Sequence, residues 1–343
     1  MSNKAAWLKA ANERPLVIED APMPNIGPRE VMIRNRAVAI NPVNWAIQAK
    51  AIFPVTYPFI GGNDAAGEIV QVGSEVNNFK VGDRVIAACW ADGTTEGRSN
   101  SAFQLFFSAD AKAIVKLPNH ISYAEGSVFP LAMATAASAL FQPDTHGLSI
   151  PQVNAKSQGK VVLVWGGGSS VGACAIQLLV GAGYDVAATA NGRNLSAMKD
   201  LGAKYVFDYT KETVVEDIVS TLKGLDFGGA FCAIIGPDIL RCGQIADQLG
   251  GYKFVSTVLP TNMPTQAGLP DGVGTCNVWG DTIFKHEAGP AVWEKWMPAA
   301  LETGALKPAP PPLIFGNGLE AIQGSLDRWS EGVSYQKVVV TLD

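Results

Sequence analysis

The residues best placed to do chemistry lie between positions 161 and 194. Val161-Val-Leu-Val-Trp-Gly-Gly-Gly-Ser-Ser-Val-Gly172 is an apolar, β-branched run that breaks into small residues and resumes as the apolar segment 173–180. This pattern predicts a buried parallel strand, a tight turn and a helix whose first N–H groups face the place where a dinucleotide pyrophosphate can sit. Gly166 and Gly167 permit the turn, Gly168, Ser169 and Ser170 keep bulk off the phosphates while the hydroxyls can donate, and Gly172 lets helix and strand approach closely. In the spacing Gly167-x-Ser169-x-x-Gly172, serine replaces the central glycine of the G-x-G-x-x-G fingerprint. A second strand, Val186-Ala-Ala-Thr189, follows the turn. At its end an NAD-preferring site carries a carboxylate for the ribose 2′-OH, whereas this chain has Ala190-Asn-Gly-Arg-Asn194. Arg193, flanked by Thr189, Asn191, Gly192 and Asn194, suits a 2′-phosphate, so the expected cofactor is NADP(H).

Several elements must hold such a turn in place. With 343 residues, 48% of them apolar, the chain exceeds what one core usually holds and is expected to form two domains. Up to about residue 120 short β-like runs alternate with Gly, Pro and Asn: 31–40, 67–72, 85–88 and 104–107. Ser122-Tyr-Ala-Glu125 reads as the capping box of a long apolar helix running toward Phe141. From there strands at 161–164, 186–189, 205–206, 229–234 and 254–258 alternate with helices in the rhythm of a doubly wound α/β sheet. After Pro308 and Pro310 to Pro312, β character returns at 336–342, which is expected to rejoin the first domain.

Net charge is −5 with no basic run, which argues against a nucleic-acid or membrane-surface partner. Met1-Ser-Asn-Lys-Ala5 has no apolar signal core, and the apolar stretch 128–141 is short and contains Pro130, so the expected location is the cytoplasm. Five scattered cysteines, an odd number, read as reduced and mostly buried.

A resemblance now emerges along the whole chain. Asn41-Pro-Val-Asn44, Gly61-Gly-Asn-Asp-Ala-Ala-Gly67, Val81-Gly-Asp-Arg-Val85, the glycine turn, Leu201-Gly-Ala203 and Val206-Phe-Asp-Tyr209 resemble the medium-chain dehydrogenase/reductase superfamily. Trp279-Gly-Asp-Thr-Ile-Phe284 and Val333-Ser-Tyr-Gln-Lys337 are most similar to its zinc-free, quinone-oxidoreductase-like branch, especially the fungal trans-acting enoyl reductases of polyketide biosynthesis. This implies an α/β fold: a GroES-like β-rich domain, 1–130 completed by 290–343, and a Rossmann domain with a doubly wound parallel sheet, 131–289.

The resemblance also implies a site. Val43 and Asn44 would lie near the nicotinamide, Gly168, Ser169, Ser170 and Val171 at the pyrophosphate, and Asn191, Gly192, Arg193 and Asn194 with Tyr209 at the adenosine phosphate. Thr257 and Val258 would lie beside the nicotinamide, and Val333 and Ser334 would close over it. Thr135, Ser138 and Gln142 with Thr282, Ile283 and Phe284 would line an acyl pocket. Tyr209 reads equally well as a strand-end aromatic packed on a helix, and the small residues around Ser138 as close core packing.

Zinc alcohol dehydrogenases carry Cys where this chain has Asn44, and His-Glu where it has Asn63-Asp64, and there is no cysteine-rich lobe after Cys89. No metal is therefore expected, and His120, His146 and His286 read as surface histidines rather than ligands. Related enoyl reductases often have lysine where Ala46 stands; Lys50 lies one helical turn on. Tyr57, Asp64 and Lys50 are available as general acids and none stands out, so the catalytic acid is unknown. Three functions remain open: NADPH-dependent reduction of an enoyl double bond on a polyketide-type thioester, with a synthase as partner; the same reduction of free enones or quinones; or a non-redox isomerase, cyclase or synthase accessory.

Overall fold

The computed structural model describes residues 2–90, 96–261, 263 and 267–342. The chain forms two compact units, Met1–Leu131 with Pro308–Asp343, and Ala132–Lys307.

The first unit is built on mainly antiparallel sheets, with one parallel pair, Pro312–Asn317 against Lys337–Thr341. Seven strands form one sheet whose spine is Glu30–Ala39, paired with Asp64–Val72 on one side and with the C-terminal strand Lys337–Thr341 on the other. Alternation along these strands sends Val31, Ile33, Ile69, Val85, Val338 and Val340 into one core with Phe103 and Phe107. Residue 67 must be glycine for a contact reason, because a Cβ there would stand 2.2 Å from the Arg34 carbonyl oxygen across the ladder. The β-like tail at 336–342 thus rejoins the first unit, as expected.

The second unit is a six-stranded, all-parallel sheet ordered Tyr205–Asp208, Asp185–Ala190, Lys160–Trp165, Asp226–Cys232, Phe254–Thr257, Gly274–Cys276. Parallel strands need crossover connections and so are covered on both faces, which is why Val161 to Trp165 is a continuous buried run. The expected α/β class and doubly wound order are both present, in the 3-2-1-4-5-6 arrangement of a Rossmann sheet.

Two expectations change. The capping box at Ser122 and Glu125 forms, but its helix stops at Gly126 and a second begins at Pro130, because proline has no N–H to continue the first and fits the opening turn of a new one. Together the run Tyr123–Phe141 is apolar and long, yet 83% of it is buried inside the protein, as core helices are. Residues 290–307, assigned from the sequence to the first unit, pack in the second. A Cβ on Gly181 would lie 2.6 Å from the Trp296 ring, and Gln177 exchanges two hydrogen bonds with the Lys307 backbone, at 2.7 and 3.1 Å.

His146 is a third correction. It is 2% exposed, with Nε2 2.9 Å from the Gly228 carbonyl oxygen and Nδ1 2.9 Å from Ser256 Oγ. A carbonyl only accepts, so Nε2 carries the proton and Nδ1 accepts from the serine. Room for the ring comes from a bulge between Phe227 and Ala230, where Gly229 takes φ +96° and a Cβ would lie 2.4 Å from Nε2. Burial pushes this imidazole down to about 4, overcoming the upward pull of the Gly228 carbonyl. The unfolded chain takes up the proton near the ordinary histidine value of 6.5 while the folded one refuses it until about 4. Stability conferred by neutral His146 is therefore intact above about pH 6.5 and falls by about 3 kcal/mol as pH drops toward 4. Denaturant unfolding across this range will show that decline in the native protein and a shallower one in His146→Gln.

Candidate active site

The glycine turn of the second unit is shaped by contacts that each small residue permits. Gly166 adopts φ +85°, its N–H donates to Thr189 Oγ1 at 3.0 Å, and Gly167 N–H donates to the Thr189 carbonyl at 2.8 Å. The second strand therefore fixes the mouth of the first. Ser169 caps the helix Ser170–Gly181, its Oγ accepting from Gly172 N–H at 3.0 Å, and a Cβ on Gly172 would fall 2.2 Å from the Gly166 carbonyl oxygen. Gly168 differs: a Cβ there would meet nothing closer than Asn194 Nδ2 at 3.9 Å. Its bareness serves no packing need, and it borders the positive end of a 12-residue helix, which is what a pyrophosphate requires.

The loop after the second strand contains a residue that the sequence reading missed. No acid ends the second strand, but Asp208, paired in register with Ala190, reaches the same loop from the third strand. A Cβ on Gly192 would lie 2.5 Å from its Oδ2. The carboxylate accepts from Thr210 Oγ1 at 2.7 Å and Thr210 N–H at 3.0 Å, and also from Gly192 N–H, and these bonds, the hydroxyl foremost, hold its pKa below the ordinary value. Asp208 is thus engaged in shaping the loop. Asn191 Oδ1 accepts from Arg193 N–H at 3.3 Å, leaving the Arg193 side chain exposed beside the half-buried Asn194. Tyr209, 39% exposed, follows at the strand end. At the other end of the sheet Thr257 is buried, with Oγ1 donating to Asn277 Oδ1 at 3.1 Å and accepting from Leu259 N–H, while Val258 is half-buried. Asn277 is a second residue the sequence did not single out.

Also in the second unit, Ser138, Gln142 and Thr282 lie together. Gln142 Nε2 donates to Thr282 Oγ1 at 2.8 Å, and Ser138 Oγ donates to the Gly280 carbonyl at 3.0 Å. Ser138 and Ile283 are wholly buried, so these two act as a seam between the helix Pro130–Phe141 and the turn Gly280–Lys285. Thr135 is half-buried on the same helix, and Phe284 stands edge-on to Trp293, centroids 4.9 Å apart.

The first unit holds a buried polar chain around Asn44. Lys337, 4% exposed, lies 3.0 Å from Asp64, which is fully buried. Asp64 also accepts from Leu131 N–H at 2.6 Å and from Asn41 Nδ2 at 2.8 Å, and Asn41 Oδ1 accepts from Lys337 at 2.6 Å. Asn41 N–H donates to Asn44 Oδ1 at 2.8 Å, in a capping box for the helix Pro42–Lys50. Asn44 Nδ2 donates to Asn63 Oδ1 at 2.8 Å, and Asn63 Nδ2 to the Cys89 carbonyl at 3.0 Å. Lys337 appeared in the sequence only as part of a C-terminal motif; its burial is what marks it. Val43 is half-buried in the same helix, Val333 and Ser334 lie in the loop before Lys337, and Lys50 is drawn over the Trp45 ring at 5.1 Å. Tyr57 is half-buried. Among the described residues no three His, Cys, Asp or Glu side chains cluster as metal ligands would.

Residues 27–126 match the alcohol dehydrogenase GroES-like domain. The chain is 38% identical over 344 residues to the trans-enoyl reductase himH of Aspergillus japonicus, covering 99% of this chain and 97% of that protein. It is equally similar, 38% over 344 residues and 100% and 99% of the two chains, to a protein of Emericella nidulans named zinc-binding alcohol dehydrogenase domain-containing protein cipB. A solved alcohol dehydrogenase superfamily protein from Novosphingobium aromaticivorans superposes with a TM-score of 0.78 at 27% identity, over 99% of this chain and 100% of that one. The chain therefore belongs to the medium-chain dehydrogenase/reductase superfamily, a family of oxidoreductases that bind a nicotinamide cofactor.

Two glycine variants separate packing from binding. Gly172→Ala must push a methyl into the Gly166 backbone and will lower stability by about 1–3 kcal/mol, whereas Gly168→Ala has room and will melt within a degree or two of the native protein. Gly168→Ala will nonetheless weaken dinucleotide binding by about tenfold, read by fluorescence titration, since its methyl enters the space the phosphates need.

Proposed function

We propose that this protein is an NADPH-dependent, zinc-independent enoyl reductase that reduces a polyketide-type acyl thioester in trans to a synthase. The polar chain from Lys337 to Asn63 carries this reading: where a zinc enzyme needs ligands, amides are bonded to one another and the one carboxylate, Asp64, is matched to an ammonium. That donor set does not suit Zn²⁺, which requires three or four deprotonated Cys, His or carboxylate ligands and would face the repulsion of Lys337. Identity to himH along the full chain supports the enoyl substrate. Four of the five cysteines are buried and none forms a disulfide, which suits the cytoplasm.

The cofactor, when bound, would supply the hydride for the β-carbon of an alkene conjugated to a carbonyl, and the α-carbon would take its proton from water. The chain's own residues do the rest. Backbone N–H groups at Ser170 and Val171, opened by Gly168, hold the pyrophosphate, and Arg193 with Asn191 and Asn194 meets the 2′-phosphate. Asp208, already bonded to Gly192 and Thr210, orders that loop instead of claiming a ribose hydroxyl. Asn44 offers an amide donor in a low-dielectric setting, where a hydrogen bond to a carbonyl oxygen polarises the conjugated system more than it would in water.

NADPH will bind more tightly than NADH, and Arg193→Ala will cost about 1–3 kcal/mol for NADPH while leaving NADH nearly unchanged. Equal dissociation constants for the two cofactors in the native protein would reverse the assignment.

Purified protein will consume NADPH one for one with a crotonyl- or longer enoyl-thioester and will retain that rate after prolonged chelation. Elemental analysis finding near one zinc per chain would overturn the zinc-independent reading, and turnover with simple enones but not with thioesters would move the substrate class.

A further inference from the structure

Asn41 could turn its amide either way if only its own side chain were considered, yet its surroundings leave one choice. Lys337 has only protons to give and sits 2.6 Å from one end of the amide, while the Asp64 carboxylate has only lone pairs and lies 2.8 Å from the other. The cation therefore takes the oxygen and the anion takes the nitrogen. Asn44 is oriented as firmly, because the Asn41 backbone N–H must find an acceptor and finds Asn44 Oδ1 at 2.8 Å. Its nitrogen then points to Asn63 Oδ1, and the Asn63 nitrogen to the Cys89 carbonyl. Each of these two nitrogens keeps a second proton beyond the one it uses. The pair is buried, at 4% and 0% side-chain exposure, where charges are retained only when fully matched. Its partners include the opening turn of the helix Pro42–Lys50 through Asn41 and the backbone of Leu131 through Asp64.

We propose that the Lys337–Asp64 ion pair is a positioning device: acting through Asn41, it sets the location and amide orientation of Asn44 and Asn63, so that these two side chains act as hydrogen-bond donors toward an acceptor oxygen of the ligand. An immobile organic cation fixed to the C-terminal strand would then prepare the carbonyl-binding groups, with no metal needed. The proposal rests on the enoyl-reductase reading for what the ligand is, but not for the orientation of the amides. Lys337 touches no ligand; its effect is transmitted through Asp64 and Asn41.

Removing one charge alone leaves the other bare in the core, so Lys337→Met by itself threatens folding. The double variant Lys337→Met with Asp64→Asn removes both and keeps the volumes, and Lys337→Arg keeps the cation. Side-chain ¹⁵N–¹H₂ resonances of Asn44 and Asn63, observed with ¹⁵N-asparagine labelling and assigned by Asn44→Asp and Asn63→Asp, report the amides in the absence of any substrate. In the double variant both pairs of signals will move and exchange faster with solvent, although melting shows a folded protein; in Lys337→Arg they will stay near their native positions. With an enoyl-thioester and NADPH, kcat of the double variant will fall about tenfold to a hundredfold while the NADPH dissociation constant stays within about twofold, and Lys337→Arg will recover most of the rate. Asn44 and Asn63 resonances unmoved in the folded double variant would overturn the proposal, as would native kcat in that variant. Native protein with no thioester turnover but with the resonance changes present would refute the enoyl-reductase reading and leave the positioning role standing.

Discussion

A single fully buried carboxylate organises much of the first unit. Asp64 sits at the start of a central strand, and its lone pairs are claimed by Lys337 on the C-terminal strand, by Asn41 just before the helix Pro42–Lys50, and by the backbone of Leu131 near the start of the helix Pro130–Phe141. Four stretches of chain, more than 290 residues apart at the extremes (Asn41 to Lys337 spans 296), are tied to one atom group. Burying such a charge is unfavourable unless every partner is supplied, so the sheet register that brings Val339 opposite Ala39 and Asp64 opposite Ala39 becomes a condition for the pair rather than an accident of packing. The backbone hydrogen bonds of the ladder and the side-chain network specify the same alignment, and agreement of that kind singles out one fold among competitors.

The second unit solves a different problem with different means. Its sheet is apolar and its turn is made of what is absent: Gly166 takes φ +85° and a side chain at Gly172 would strike the Gly166 backbone, so these glycines are required by the fold, while Gly168 is spared from any such duty. The distinction matters because a glycine-rich turn in a sequence mixes both kinds. Only contacts in the folded chain tell which glycine leaves room for a ligand. The same holds for serine. Ser169 gives its oxygen to the Gly172 N–H as a helix cap, and its own proton has only the Ala233 carbonyl at 3.4 Å, so its hydroxyl serves the turn before it serves a phosphate.

Periodicity made the fold readable. Continuous apolar runs such as 161–165, bounded by glycine and followed by helical spacing, define parallel strands without any knowledge of their neighbours, and the doubly wound order follows from that alternation. Where the sequence misled, long-range contact decided. His146 looks like a loop histidine because the residues that bury it, Gly228, Ser256 and the stacked pair Tyr252 and Phe254, lie 82 to 110 positions away. The segment 290–307 follows the last strand of the parallel sheet and precedes a proline cluster, and nothing local reveals that Trp296 fits against Gly181.

The site was legible to the same degree and for the same reason. Residues proposed to act through the backbone of a local turn, Gly168 to Val171 and Asn191 to Asn194, are adjacent along the chain, where local spacing can point to them. Residues that act by charge across the fold are not. Asp208 has nothing in its own neighbourhood to say that it braces Gly192, since the register between two parallel strands brings them together. Lys337, embedded in a polar tail motif, gives no hint that it is buried. A charged residue in a β-branched run, Lys337-Val-Val-Val340, is nevertheless a local contradiction, because a strand that is otherwise core has no inexpensive place for an ammonium. Such contradictions mark where a fold has accepted an energetic penalty, and here the penalty sits two hydrogen bonds, through Asn41, from the amide whose orientation the proposed chemistry requires.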